Sequence, residues 1–363
     1  MKRVLFALIA TLLTVGCNND EHGEYYPDIS TRELHYVSRS GERVEFSDDA
    51  FDAAIISNTY NGDKGVIRFA SSLHRIGFLG SLDITSITIP TTVTTFEGNP
   101  FRNCKNLARF ISKYSTSDGY ALVYDSELIA LARNYREDKY DIPYGVKGIG
   151  ECALYGSSIK EVSIPNSVAH IGDKAFYDCK YLETLTLPER LETLGSEVCV
   201  DCVNLKSVAL PRSVDISEDF AGFIGCHNLE TFSGDLTSED GRCLVINKRV
   251  YAFAPANLTE YTIPEGITAI ADRSFAKCTI STITLPSTVV ALGSGIFYNC
   301  SNLSEIYVAP TTPPTIKSGN GSIDPFENIR EDYTIYVPTL SYSKYTSDAH
   351  WANYSDHIQT YVR

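Results

Sequence analysis

An aliphatic residue followed by proline recurs in fixed phase along this chain: Ile89-Pro90, Ile142-Pro143, Ile164-Pro165, Leu187-Pro188, Leu210-Pro211, Ile263-Pro264 and Leu285-Pro286. The prolines stand 53, 22, 23, 23, 53 and 22 residues apart. Each long interval is one repeat plus an insertion, so the two halves are offset by 121 residues, Pro90 to Pro211 and Pro143 to Pro264. A second mark keeps the same phase. Phe-x-x-Cys occurs at Phe101–Cys104, Phe176–Cys179, Phe223–Cys226, Phe275–Cys278 and Phe297–Cys300, and Cys199 and Cys202 occupy its two places in one further repeat. A unit of 22 to 24 residues is too small to bury a hydrophobic face alone. Stacked units bury a continuous core, so the period predicts a solenoid.

Within a unit, Thr184-Leu185-Thr186-Leu187 and Thr282-Ile283-Thr284-Leu285 alternate with period two, as strands with one buried face do. Proline after the strand marks a turn. Gly150, Gly172, Gly195 and Gly293 mark the next corner. The Ala-Phe-x-x-Cys stretch is helical or 3-10 at most. About eight coils at ~4.8 Å each give a stack ~40 Å long. Asp215-Ile216-Ser217 departs from the repeat spacing and predicts a local bulge.

The pattern resembles the BspA-like leucine-rich-repeat family of bacterial cell-surface lipoproteins. Leu182, Leu185, Leu187, Pro188, Leu191, Leu194 and Gly195 fit its unit in one coil, and Leu303, Ile306 and Val308 fit it in another. The resemblance covers residues 66–310. It implies a right-handed leucine-rich-repeat solenoid, mostly β with short helical or 3-10 turns, and adhesion to host matrix proteins. Repeats transfer fold better than ligand.

The N-terminus sets the compartment. Lys2 and Arg3 precede an apolar run from Val4 to Val15, too short to span a membrane and suited to a signal peptide over 1–16. Leu13-Thr14-Val15-Gly16-Cys17 resembles the lipobox of bacterial lipoproteins, although its usual Leu position holds Thr14. That resemblance makes Cys17 a lipid attachment site; the alternative is an ordinary signal peptide. Residues 17–30 read as a flexible tether. Asp20 and Glu21 resemble an acidic export signal, so the expected location is the outer membrane, lipid-anchored and surface-exposed. Residues 31–65 are expected to form an N-terminal cap: a hairpin of Glu33–Val37 with Arg43–Phe46 around Ser40-Gly41. Residues 311–363, with the sole Trp351 among Tyr342, Tyr345 and Tyr354, are expected to close the other end.

Composition narrows the function. The formal charge of −14 argues against nucleic acid and against docking on anionic lipid. No His-Glu-x-x-His, Gly-x-Ser-x-Gly, P-loop or Gly-x-Gly-x-x-Gly motif appears. Cys199-Val200-Asp201-Cys202 is a Cys-x-x-Cys explained by repeat register, with no second pair to complete a zinc site. Nine cysteines remain beside Cys17, an odd number, and they are read as a reduced, buried ladder. Neither catalytic residues, nor a metal, nor a cofactor is expected.

Function then rests on surfaces. The open strand face presents Thr88, Asp141, Ser163, Thr186, Ala209, Thr262, Thr284 and Tyr307. The row beside it is Ser86, Lys139, Glu161, Thr184, Ser207, Glu260, Thr282 and Glu305. Small polar residues with one Tyr suit a protein partner better than a sugar. The two insertions, about 107–139 and 230–260, match each other: Ser117–Tyr124 aligns with Glu239–Ile246, and Leu128–Leu131 with Val250–Phe253. Each is expected to be a hairpin projecting from the stack. Tyr120, Tyr124, Arg133, Tyr135 and Arg136 on the first, and Arg242, Lys248, Arg249 and Tyr251 on the second, are the candidate partner-binding residues, since Tyr and Arg are enriched at hot spots. Packing of the tyrosines within each hairpin is the alternative. The expected partners are extracellular or cell-surface proteins. An accessory glycan-capture lipoprotein and a purely structural envelope component are the rival readings.

Overall fold

A computed structural model describes residues 29–362. Each coil has three sides. The coil that begins at Thr184 illustrates them. On the first side Thr184–Thr186 lies parallel to Ser207–Ala209, with Leu185 opposite Val208. Leu185 points inward and is buried, whereas Thr184 and Thr186 face out, as the alternation requires. Pro188 then opens a turn closed by Leu191 N–H donating to its carbonyl at 3.0 Å. On the second side Thr193–Leu194 pairs parallel with His170–Ile171.

The third side is the Phe-x-x-Cys stretch. It is a series of tight turns, in which Tyr177 N–H donates to Lys174 O and Cys179 N–H to Phe176 O. It also carries a ladder of its own between coils. Lys174, Phe176 and Asp178 donate to Ser196, Val198 and Val200 at 3.0, 2.8 and 2.9 Å. Left-handed residues at Lys174 and Asp178 (φ 57° and 60°) turn alternate N–H groups toward the neighbouring coil. Every side of the coil therefore satisfies backbone groups through its neighbour.

The corner glycines are required by crowding. A Cβ on Gly172 would lie 2.7 Å from the Glu151 nitrogen, and one on Gly293 would lie 2.6 Å from that of Asp272. Neither glycine has positive φ. Only hydrogen fits because the preceding coil's backbone passes directly beneath. The bulge expected at Asp215 is a local loss of ladder: this coil keeps a single bridge, Asp215 to Thr193, on the second side.

The insertions do form hairpins, Ala121–Tyr124 with Glu127–Leu131 and Cys243–Ile246 with Arg249–Phe253. They do not project. Glu127–Leu131 pairs parallel with Gly148–Ile149, and Arg249–Phe253 with Ala269–Ile270, so each hairpin is a rung of the second side. Both of its faces are buried. Ala121, Leu128 and Leu131 face the middle core compartment, while Leu122, Ile129 and Ala130 face the N-terminal one. In the second hairpin, Leu244 and Ala252 face the middle compartment and Cys243, Val250 and Phe253 the C-terminal one. The apolar runs Leu128–Leu131 and Val250–Phe253 are the physical reason. A strand apolar on successive residues has no face to give to solvent.

The N-terminal cap differs from the expected hairpin. Glu33–Ser38 pairs antiparallel with Gly65–Phe69 on one edge and Ile84–Thr88 on the other. Both its edges are filled, so Arg43–Phe46 has no place beside it. That segment is held instead by Val44 N–H on Tyr36 Oη (3.1 Å) and by Asn58 Nδ2 on the Val44 carbonyl (2.7 Å). Gly65–Phe69 also pairs antiparallel with Ile55–Tyr60 on its other edge. At the other end Thr334–Pro338 and Ile358–Tyr361 add two parallel rungs. Between them Trp351 is fully buried, with Nε1 donating to Pro314 O at 2.7 Å.

Candidate interaction surface

The first side presents a regular row of strands. Its strands run from Ile84–Thr88 to Ile358–Tyr361, and their register sets side chains in columns. Lys139 stands opposite Glu161 and Asp141 opposite Ser163. Thr184 stands opposite Ser207, Glu260 opposite Thr282, and Thr284 opposite Tyr307. Within each sheet the two rows read from the sequence are thus real columns. The hairpin coils add Ile111 beside Thr88 and Ser233 beside Ala209. Charges pair across coils: Lys139 Nζ lies 3.0 Å from Glu161 Oε1, and Lys206 Nζ lies 2.7 Å from Glu183 Oε2.

Tyr307 is the one tyrosine in the two rows given by the sequence. Tyr336 extends the column of Tyr307, and the two rings stack at 4.6 Å and 15°. Tyr361 meets Tyr307 edge-on at 5.6 Å. Ile335-Tyr336-Val337 repeats the alternation of Ile306-Tyr307-Val308, so the signal was present beyond the last Pro-marked repeat.

The candidate hairpin residues scatter into separate structural contacts. Tyr120 packs edge-on against Tyr135 at 5.2 Å, and Tyr135 against Tyr140 at 5.3 Å, with Tyr135 Oη donating to Lys139 O. Tyr124 lies 4.9 Å from Tyr114. Arg133 donates to the Tyr155 carbonyl at 2.7 Å, and Arg242 to those of Ala254 and Ala256. Arg249 pairs with Glu218 at 3.3 Å, and Tyr251 packs against the middle core compartment. Arg136 and Lys248 are exposed. Only Tyr120 and Tyr135 are brought together, and they serve packing. Cys17 lies outside the described residues.

All nine cysteines from Cys104 to Cys300 are free and buried. Burial pushes the Cys104 thiol up to about 11 and the Cys243 thiol up to about 12. These groups stay protonated at neutral pH and are poor nucleophiles. Burial raises Cys199 and Cys202 in the same way, as a packing role for the Cys-x-x-Cys requires. One open groove of about 210 Å³ lies over the second side, floored by Ala269, Ala291 and Gly293. Its charges are already paired, Arg249 with Glu218 and Lys317 with Asp272 at 2.6 Å.

A three-sided stack with this aliphatic-Pro and Phe-x-x-Cys register defines a leucine-rich-repeat β-solenoid. The BspA type leucine-rich-repeat region matches in six copies over residues 66–127, 134–237 and 246–321, and the chain belongs to that family. No curated protein matches. Among solved structures, a leucine-rich repeat protein from Bacteroides ovatus is 25% identical, with 78% of this chain and 69% of that chain covered and a TM-score of 0.46. A leucine-rich cell surface protein from Faecalibacterium prausnitzii is 18% identical over 85% and 86%, with a TM-score of 0.41. The pneumococcal vaccine antigen PcpA is 15% identical over 88% and 98%, with a TM-score of 0.34.

Proposed function

We propose that this chain is a non-enzymatic, surface-displayed lipoprotein that binds other proteins through the outward columns of its first side. The observation that carries this reading is the register of that face. Thr and Ser side chains, with Glu161, Glu260, Glu305 and the single Lys139, stand opposite one another in register on adjacent rungs, on a frame held by three ladders. A rigid, broad, hydrogen-bonding surface is pre-organised, which lowers the ordering cost of a large protein interface. Cys17 supplies the anchor and the tether after it the reach, to an outer-membrane site facing the exterior. Adhesion to a host extracellular protein or to a neighbouring surface protein follows from that placement. An acyl-chain probe tests the anchor: it labels the wild type and spares Cys17→Ala, whereas equal labelling of both contradicts lipidation.

The Tyr307, Tyr336 and Tyr361 group favours a second reading, capture of a glycan at the C-terminal end of the same face. Binding on a glycan array that Tyr336→Ala abolishes, with no protein ligand found, replaces the first reading with the second.

A further inference from the structure

Cys278 Sγ and Cys300 Sγ lie 3.2 Å apart in successive coils, inside the C-terminal core compartment. Their coils are locked in register on all three sides. Thr282 stands opposite Glu305 and Leu285 opposite Val308 on the first, and Ala269 opposite Ala291 on the second. Phe275 and Lys277 donate to Ile296 and Tyr298 on the third. Elsewhere in the ladder the thiol is aimed at a backbone carbonyl of the preceding coil: Cys179 at Leu154, Cys202 at Phe176 and Cys226 at Cys199. Cys300 is likewise aimed at Phe275, and its Sγ also meets Cys278 Sγ, a thiol–thiol contact of the kind that Cys202 makes with Cys179 and Cys199. Parallel rungs ~4.8 Å apart fall within the ~4.4–6.8 Å Cα separation that a disulfide spans.

We propose that Cys278 and Cys300 are a cross-linking pair, oxidised by thiol–disulfide exchange to a disulfide that staples two coils beneath the C-terminal cap. The oxidant is a small-molecule disulfide. The Cys278 thiolate, from the more exposed of the two residues at 5% against 0%, attacks one of its sulfurs and expels the first thiol. The Cys300 thiolate then attacks Cys278 Sγ and expels the second. Two protein S–H bonds are lost and one S–S bond forms. Two electrons pass to the oxidant, which leaves as two thiols. The contact with Cys300, and then burial, hold the Cys278 thiol well above its usual value, so the exchange waits on opening of the coil and quickens as pH rises. The staple closes a short loop and restrains the unfolded chain. It sits where the ring series Phe275, Phe297 and Phe326 leads to Trp351.

The test uses the full chain, fully reduced and then incubated with oxidised glutathione at pH 8, followed by alkylation and peptide mass spectrometry. The expected product is one linked species joining the Cys278 and Cys300 peptides, two hydrogens lighter than the reduced pair. Its melting temperature rises by about 5 °C, and Cys278→Ser shows no such rise. Recovery of both residues as alkylated thiols overturns the proposal. So does a separate glutathione on each, or linkage of either to another cysteine. The wild-type peptide map decides the matter even if the variant folds poorly.

Discussion

The Cys202 thiol donates to the carbonyl oxygen of Phe176, one coil earlier, at 3.0 Å. The same relation links Cys179 to Leu154, Cys226 to Cys199 and Cys300 to Phe275. Each acceptor holds the Phe place of its repeat. The cysteine side chain is small enough for the core, apolar enough to be buried, and still carries a second donor for a carbonyl that already accepts the tight turn's own N–H. Cys202→Ala is expected to lower stability by about 1–3 kcal/mol in urea unfolding. A loss under about 0.5 kcal/mol would reduce the thiol to filler.

Gly195 abuts the Asp173 nitrogen and the Gly172 carbonyl carbon, both rigid backbone. Gly195→Ala is expected to separate two coils and to cost about 2 kcal/mol or more. The measurement is the shift in urea midpoint. A variant as stable as wild type would show that the corner can open freely.

Hairpins that act as buried partitions behave differently from projecting arms. Leu128→Ala is expected to cost about 2–4 kcal/mol, as other fully buried leucines do, because Leu128 faces the middle core compartment. Arg136→Ala and Lys248→Ala, on exposed side chains, are expected within about 0.5 kcal/mol of wild type. Thermal and urea unfolding of the three variants distinguish the two pictures, and equal small effects would restore the projecting arms.

Most of the fold was legible because the repeat marks itself several times per coil. Proline, the corner glycine, the aliphatic alternation and Phe-x-x-Cys all agree on one phase, and the strand columns follow from it. The hairpins were legible as hairpins, from the match of 117–124 with 239–246 and of 128–131 with 250–253. Their placement was not, because a two-strand insertion can lie in or out of a stack. The deciding signal was the run of consecutive apolar residues at 128–131 and 250–253, which leaves no solvent face. The candidate binding residues carry an ambiguity of the same kind. Tyr and Arg enrichment also describes side chains that pack on each other or close orphan carbonyls, as Tyr135 and Arg133 do. The cap was misjudged because strand pairing between Glu33–Ser38 and Gly65–Phe69 is remote in sequence, whereas a Ser-Gly turn is a local signal.

Glu33 offers a pH-dependent check on that cap. A hydrogen bond from His35 Nε2 at 2.9 Å is the largest influence holding its carboxyl below the usual value of 4.5, and Arg68 Nε adds a second at 2.9 Å. A depressed carboxylate contributes stability that is complete above its unfolded value and is lost as pH falls through the native one. Because the site is partly solvated, the contribution is expected to be about 0.5–1 kcal/mol. Glu33→Gln should therefore be less stable than wild type at pH 7, and the gap should close in acid below pH ~4. A constant gap across that range would assign the effect to packing instead of charge.

The central claim is that the first-side columns bind protein. The most direct measurement is surface plasmon resonance of the full chain against a panel of purified host extracellular and bacterial surface proteins. It is repeated with a variant carrying Thr184→Arg, Thr186→Arg, Thr282→Arg and Thr284→Arg on the exposed columns. The account predicts that at least one protein binds the wild type and that the folded variant loses about tenfold or more, roughly 1.4 kcal/mol. Binding of unchanged affinity to the folded variant, or no protein ligand at all, would contradict it.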